Sequence, residues 1–535
     1  MPFQTNLTKD WMLTIRSFFQ TKSKLSYLLL FIAGSLNVFS YAPYGLWPIV
    51  IATLALLILS IHTTVDAKQA AKFGFSYGLG WFATGISWVH VAIADFGGLP
   101  LFVSLALMAL LAAYLALFPA LAAYISIRFK AQFGFTLFLP AWIFAEWLRS
   151  WFLTGFPWLS LGYTQTEGPL SGLAPIIGEV GIQAALVSTS LLLVWCIRAF
   201  SKKRSTFVCV AQAFAPIAIL FVLGSALQSI SWLTGDSKPL NVTLVQGNIE
   251  QSLKWQPENE MPTMLKYLEM SQPHFETSDL IIWPEAAVPR LEVIANEYLR
   301  DIDGLAAKTD TAIVTGIVDY QTDTGWAFNN LIVLGSKYQD SKYGHYKYLH
   351  SNRFSKHHLL PIGEFIPFET LLRGIAPLFD LPMSSFSRGD FVQENLIAKS
   401  WNIAPAICFE IAFANQMRAN IFDGEQASDF ILTVSNDAWF GDSHGPWQHL
   451  QIAQMRALEF AKPVIRVTNN GVTAIVDEQG KITDILPQFE EGVLTSELNI
   501  SGSQTYYHQI GNLPLYLSLL LLVAVKFWTK NRSKK

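Results

Sequence analysis

Apolar residues in the first 230 positions form long blocks separated by short polar gaps, whereas between about 240 and 500 they fall in short runs with frequent polar interruptions. The long blocks lie near 25–42, 45–62, 73–93, 101–127, 133–149, 178–199 and 207–229, and an eighth lies at 511–528. A helix needs about 20 residues to cross ~30 Å of hydrocarbon, so this pattern predicts eight transmembrane helices. The short runs predict strands at Asn241–Val245, Leu280–Trp283, Ala312–Ile317, Leu331–Leu334, Ile403–Cys408, Phe430–Val434, Val464–Thr468, Val472–Val476 and Val493–Leu498. Helical periodicity intervenes at 258–271, 291–307, 412–421 and 446–461. Strands and helices that alternate in this way predict a layered α/β domain.

Composition agrees with a chain that is partly in lipid. Of 535 residues, 51% are hydrophobic and 14% charged, against about 25% charged in a soluble domain. The net charge of −3 gives no electrostatic footprint for nucleic acid. Basic residues instead cluster at Lys68/Lys72, Arg128/Lys130, Arg198/Lys202/Lys203/Arg204 and Lys526–Lys535. Eight crossings that begin inside put every cluster on the cytoplasmic face, as the positive-inside rule requires. The first block follows Lys9, Arg16, Lys22 and Lys24 but lacks a small-residue cleavage site, so it reads as a retained anchor. The expected organisation is a seven-span domain at 1–235, an extracytoplasmic domain at 236–505, and a last span with a cytoplasmic tail at 506–535.

Polar residues with complementary chemistry follow three of the predicted strands. Glu285 follows Leu280–Pro284, Cys408 closes its strand, and Asn436-Asp437 follow Phe430–Ser435. Strand ends converge on ligand crevices in layered α/β folds. Cys408 is the only cysteine between Gly235 and Ser503, and a turn into the helix predicted at 412–421 brings amide N–H groups that stabilise a thiolate. The three cysteines form neither a disulfide framework nor a zinc spacing. A thiol nucleophile needs a base and a positive group or amide pair facing the attacked carbonyl. Glu285 suits the first role, and Lys356 with the N–H of Phe409 suits the second. His357 and His358 read as a surface pair rather than a metal clip. Glu146 and Arg149, near the outer end of the fifth block, are charges that a bilayer penalises unless they pair or meet a headgroup.

Trp283-Pro284-Glu285, Lys356-His357-His358-Leu359 and Cys408-Phe409-Glu410 resemble, in this order, the three catalytic segments of the nitrilase, or carbon–nitrogen hydrolase, superfamily. That resemblance implies an αββα sandwich with a Glu-Lys-Cys triad. Further stretches extend the likeness to nearly the whole chain. They are Val245–Ile249, Gln251–Trp255, Pro361-Ile362-Gly363-Glu364, Leu381–Gly389, Ser435–Gly441, Leu153–Trp158 and Gly168-Pro169-Leu170. With these, the chain resembles the apolipoprotein N-acyltransferase family. Phe409 departs from the tyrosine common in that family, and Leu360 and Ile362 from its valine and phenylalanine.

The resemblance implies that Glu285 is the general base, Lys356 the oxyanion-side cation, Cys408 the nucleophile and Glu364 a second essential carboxylate. Glu410 and Phe409 would support the site, and Trp255, Asn329 and Trp439 would bind substrate. It also implies ping-pong transfer of an sn-1 acyl chain from a phospholipid, phosphatidylethanolamine by expectation, through a Cys408 thioester. The acceptor would be the N-terminal diacylglyceryl-cysteine of an apolipoprotein, at a bacterial inner membrane with the catalytic domain in the periplasm, without metal or diffusible cofactor. A membrane-anchored amidase with water as acceptor is the alternative, and the multi-span half argues against it. Two apolar stretches, Phe365 to Leu381 and Trp151 to Tyr163, are expected to meet the lipid.

Overall fold

A computed structural model describes residues 17–19, 24–201, 206–335, 344–361, 363–365, 386–421 and 427–532. The chain divides into two compact units. One comprises Met1–His90, Phe102–Ser231 and Gln509–Lys535, and the other Val91–Leu101 and Trp232–His508.

In the first unit, helices occupy every block that the apolar pattern marked: Lys24–Ser35, Pro48–Thr63, Ala67–Gly85, Leu101–Arg128, Phe138–Arg149, Ala174–Ser201, Thr206–Leu227 and Leu513–Arg532. Among the described residues, four stretches are long and apolar enough to cross a membrane: Leu101–Arg128, Ser171–Ala199, Val210–Leu227 and Leu513–Lys530. Helices associate in lipid through small residues that let backbones approach. Lys24–Ser35 and Ala67–Gly85 do so at Gly34, where a Cβ would lie 1.9 Å from the Tyr77 carbonyl oxygen. The Glu146–Arg149 pair is internal. Arg149 Nη2 sits 2.5 Å from Glu146 Oε2, and Nη1 donates to the carbonyls of Phe156 and Trp158 at 2.5 and 2.7 Å. The guanidinium thereby ties down the loop that follows its helix. That loop is divided in exposure: Trp151, Phe152 and Leu153 are exposed, whereas Trp158, Leu159 and Tyr163 are buried.

The second unit is built on two sheets. In chain order the first contains β1 (Leu233–Gln246), β2 (Leu280–Ile282), β3 (Val288–Leu291), β4 (Ala312–Gln321), β5 (Trp326–Leu334) and β6 (Arg353–Ser355). The second contains β7 (Leu396–Ala398), β8 (Trp401–Ile407), β9 (Phe430–Ser435), β10 (Val464–Thr468), β11 (Ala474–Val476) and β12 (Ile482–Ile485), after which β13 (Gly492–Ser503) returns to the first. The strand orders are β13-β1-β2-β4-β5-β6, with β3 on β4, and β12-β11-β10-β9-β8-β7. β1, β2 and β4 run parallel, as do β8, β9 and β10. Their carboxyl ends therefore lie along one edge of each sheet.

Alternate residues of each strand face opposite sides. Val242, Leu244, Ile282, Val314, Ile403, Ile407, Leu432 and Val467 form one core between the sheets. The opposite face of the first sheet packs Ile281, Trp283, Ile313 and Ile332 against Met264, Tyr267, Leu299 and Ile302 of helices Pro257–Ser271 and Glu292–Lys308. Helices Ala414–Ile421 and Gly445–Phe460 contact the second sheet. The layers are thus αββα.

The main strands and helices fall where the sequence pattern puts them, although β1 begins at Leu233 rather than Asn241 and β5 at Trp326 rather than Leu331, and β3, β6, β7 and β12 are additions to it. One boundary shift matters: β8 stops at Ile407, and Cys408 begins the turn Cys408–Ala412 instead of ending the strand.

Candidate active site

The site assembles from chain ends that leave the two sheets. β2 delivers Trp283-Pro284-Glu285, β6 delivers Lys356, β8 delivers Cys408 and β9 delivers Asn436-Asp437. Cys408 has φ 53°, a left-handed conformation that costs a residue with a Cβ about 1–2 kcal/mol. Strain of this kind persists where the surroundings hold it, and commonly at functional sites. The turn places the Cys408 side chain at the strand end, against the margin of the inter-sheet core.

Glu285 and Lys356, both buried, form one cluster with the half-buried Glu364. Lys356 Nζ lies 2.7 Å from Glu364 Oε1 and 3.5 Å from Glu285 Oε1. Asn329 Nδ2 donates to Glu285 Oε1 at 2.7 Å and to Glu364 Oε1 at 3.3 Å. The N–H groups of Asn436 and Leu360 complete the cage, the first on Glu285 Oε2 at 3.0 Å and the second on Glu364 Oε2 at 2.8 Å. Burial opposes the ammonium of Lys356, but Glu364, Glu285 and Cys408 outweigh it and raise its pKa. Lys356 is therefore a permanent cation.

The thiol behaves differently from the sequence expectation of a stabilised thiolate. Burial, and then the charge of Glu285, push Cys408 up to about 12, and Lys356 and the Ser435 hydroxyl only partly compensate. These influences favour a neutral thiol, because burial first and the neighbouring Glu285 second both penalise a thiolate. The residue is half-buried.

Glu410 supports the turn. Its Oε2 accepts from the Ile407 N–H at 2.9 Å, and its Oε1 from the N–H groups of His357 and His358 at 2.8 and 3.2 Å. One buried carboxylate therefore binds the segment after Lys356 to the one around Cys408. His357 reaches the Gly389 carbonyl with Nδ1 at 2.7 Å, and His358 stacks on Phe413 with centroids 3.6 Å apart. Both imidazoles serve this packing.

Phe409 is buried and its ring meets Phe413 edge-on at 5.0 Å. Asn329, expected to bind substrate, is buried and donates to both carboxylates. Trp255 is half-buried in the turn Gln251–Trp255, and Trp439 is half-buried in the turn Asp437–Phe440. Next to Trp255, the buried Lys254 donates to the Glu285 carbonyl at 3.0 Å, and burial depresses its pKa to about 8. The expected lipid-facing stretch Phe365 to Leu381 lies, beyond Phe365, outside the described residues, as does Ile362.

Sequence reasoning missed Lys254, Ser435, His449 and Arg466. Ser435 Oγ donates to Asp437 Oδ1 at 2.6 Å, and Arg466 Nη2 to Asp437 Oδ2 at 2.5 Å. His449 Nε2 lies 3.0 Å from the Cys408 carbonyl oxygen. The available signal was polar and charged residues inside otherwise apolar strands and helices.

Two family models match this chain: the apolipoprotein N-acyltransferase N-terminal domain over residues 33–192 and the carbon-nitrogen hydrolase over residues 241–507. The apolipoprotein N-acyltransferase of Shewanella oneidensis is 46% identical over 532 residues, which cover 97% of this chain and 99% of the relative. That of Vibrio vulnificus is 45% identical, covering 94% of this chain and 96% of the relative. A solved CN-hydrolase superfamily protein from Xanthomonas campestris is 20% identical with a TM-score of 0.35, covering 52% of this chain and 97% of that one. Identity of this degree over nearly the full length of both chains makes this chain a member of the apolipoprotein N-acyltransferase family, and so an acyltransferase.

Proposed function

We propose that this protein transfers the sn-1 acyl chain of a phospholipid, through a thioester on Cys408, to the α-amine of the diacylglyceryl-cysteine at the N-terminus of an apolipoprotein. The observation that carries this reading is the left-handed turn that presents Cys408 to the fields of both Glu285 and Lys356. Family membership supports the acceptor and the membrane setting.

In the first half-reaction, the Glu285 carboxylate takes the thiol proton as sulfur attacks the ester carbonyl. Lys356 and the Phe409 N–H face the oxyanion. Collapse breaks the ester C–O bond, and the leaving lysophospholipid oxygen takes the proton from Glu285. In the second, a neutral amine attacks the thioester, Glu285 accepts its proton, and the departing Cys408 thiolate takes that proton back. Protons and acyl groups balance with no diffusible cofactor. A neutral resting thiol suits this cycle, because the proton leaves sulfur only as the C–S bond forms.

The topology in this reading has seven spans in 1–235, the catalytic domain at 236–505 in the periplasm, and an eighth span in 506–535 of the inner membrane. Support comes from helices at all eight apolar blocks and from the distribution of Lys68, Arg128, Arg198 and Lys526. Both substrates are lipids whose chains cost about 0.8 kcal/mol per CH₂ to expose to water, so a bilayer-embedded enzyme meets them where they reside. Burial of Glu285, Lys356 and Asn329 limits bulk water at the site and favours the amine as acceptor.

The test is intact-mass measurement of the purified protein with phosphatidylethanolamine. We expect one acyl adduct on Cys408, labile to hydroxylamine, discharged by a diacylated lipopeptide and absent in Cys408→Ala. No adduct in the wild type would refute the thioester, and discharge by water as fast as by lipopeptide would point to an amidase or esterase.

A further inference from the structure

His449 lies on helix Gly445–Phe460, fully buried, outside the Glu285–Lys356–Glu364 cluster. Its Nε2 is 3.0 Å from the Cys408 carbonyl oxygen. Its Nδ1 is 3.1 Å from Arg466 Nη2 and 3.3 Å from Asp437 Oδ1. A carbonyl oxygen only accepts and a guanidinium only donates. The neutral ring therefore has one self-consistent tautomer, with Nε2–H donating to Cys408 and Nδ1 accepting from Arg466. Burial first, and Arg466 second, lower the histidine pKa and keep it neutral. Asp437 secures Arg466 through a 2.5 Å contact to Nη2 and holds Ser435 on its other oxygen.

The carbonyl that His449 holds belongs to the same planar peptide as the Phe409 N–H. In a trans peptide the C=O and N–H point to opposite sides, so a donor that fixes one fixes the direction of the other. We propose that His449 is a positioning residue that sets the plane of the Cys408–Phe409 peptide and so aims the Phe409 N–H at the acyl oxygen. The left-handed Cys408, at φ 53°, places this carbonyl at the head of the turn Cys408–Ala412 rather than in the sheet ladder, where His449 meets it from a separate helix. Asp437 and Arg466 select the tautomer. The proposal rests on the thioester reading above, since an oxyanion donor matters only if an ester is attacked.

That dependence defines the experiment. Oxyanion stabilisation acts in the transition state, so loss of aim lowers the rate constant and leaves substrate affinity. Alkylation of a thiol by iodoacetamide proceeds without an oxyanion and reports whether Cys408 is reachable and how readily it ionises, independently of how an attacked carbonyl is stabilised. Full-length wild type, His449→Leu, His449→Asn and His449→Gln are compared in detergent micelles with dipalmitoyl phosphatidylethanolamine. The glutamine amide retains a donor at the Nε2 position and an acceptor for Arg466, whereas asparagine is polar but too short. We expect Leu and Asn to lower the saturating rate of Cys408 acylation by about 10²-fold, the scale of oxyanion-donor losses. We further expect KM and iodoacetamide labelling of Cys408 to change less than about threefold, and Gln to restore most of the acylation rate. Equal acylation by Leu, Asn and wild type overturns the proposal, as does a loss that Gln does not restore. A parallel fall in alkylation overturns it too, because it assigns His449 to general packing. If Leu alone fails to fold, Asn against Gln decides. A wild type that forms no adduct at all refutes the thioester reading itself, an outcome separate from every variant comparison.

Discussion

Lys356 Nζ is nearer to Glu364, at 2.7 Å, than to Glu285, at 3.5 Å, so the tighter ion pair of the cluster does not involve the proposed base. Glu364 thereby holds the ammonium away from Glu285. In Glu364→Gln the cation turns to Glu285 and stabilises its carboxylate. We predict a fall in the rate of thioester formation of about 10²-fold, within the range for impaired acid–base catalysis. Single-turnover acylation of the purified variant checks this, and a rate equal to wild type would remove Glu364 from the mechanism.

A thiol pushed up to about 12 is protonated throughout the physiological range. Iodoacetamide labelling of Cys408 should therefore rise about tenfold per pH unit between pH 7 and 9, since the thiolate fraction does so well below the pKa. Glu285 raises this pKa, so Glu285→Gln should label faster than wild type at each pH while acylating more slowly. Slower labelling together with slower acylation would contradict the electrostatic account. The same shift carries a stability sign. The folded value lies above the ordinary value of 9, so this contribution is complete below pH 9 and is lost as pH rises toward 12.

At Gly316 on β4, an added Cβ would lie 2.4 Å from the Ala286 nitrogen, 2.7 Å from the Pro284 oxygen and 2.8 Å from Glu285 Cα. All three are backbone atoms of the turn that carries the proposed base. Gly316→Ala must displace that turn, at about 1–3 kcal/mol for overpacking. We expect a lower thermal midpoint and acylation reduced by more than the stability loss explains; an unchanged rate would mean that Glu285 tolerates the shift.

In the first unit, Arg149→Leu leaves Glu146 buried without its cation and removes the donor that Arg149 supplies to the carbonyls of Phe156 and Trp158. Breaking one partner of such a pair costs about 3–5 kcal/mol. The yield of folded protein in detergent should fall sharply, and Glu146→Gln in the same chain should recover part of it. No recovery would assign the defect to the carbonyl contacts.

The sequence by itself determined the elements. Long apolar blocks mark the helices because a lipid-facing helix must be apolar along its length, and short apolar runs mark the interior strands because both faces of a sandwiched sheet are buried. Glu285 and Cys408 stood out for a related reason, because each follows a predicted strand and strand ends converge in this architecture, whereas Lys356 stood out only by its chemistry and the family resemblance, its strand β6 being invisible. The edge and short strands β3, β6, β7 and β12 were not legible, since three or four residues carry no period and pair only where a neighbour exists. Tertiary structure alone decided the electrostatics. Whether Cys408 rests as thiol or thiolate depends on Glu285, 123 positions earlier in the chain, and on how much water surrounds both. Asn329 became an orienting group for two carboxylates, and His449 became a partner of the Cys408 carbonyl, through contacts across sheets and helices that local pattern does not encode. Charge and hydrogen-bond energies in a buried site depend on distance and dielectric, and both exist only once the layers have packed.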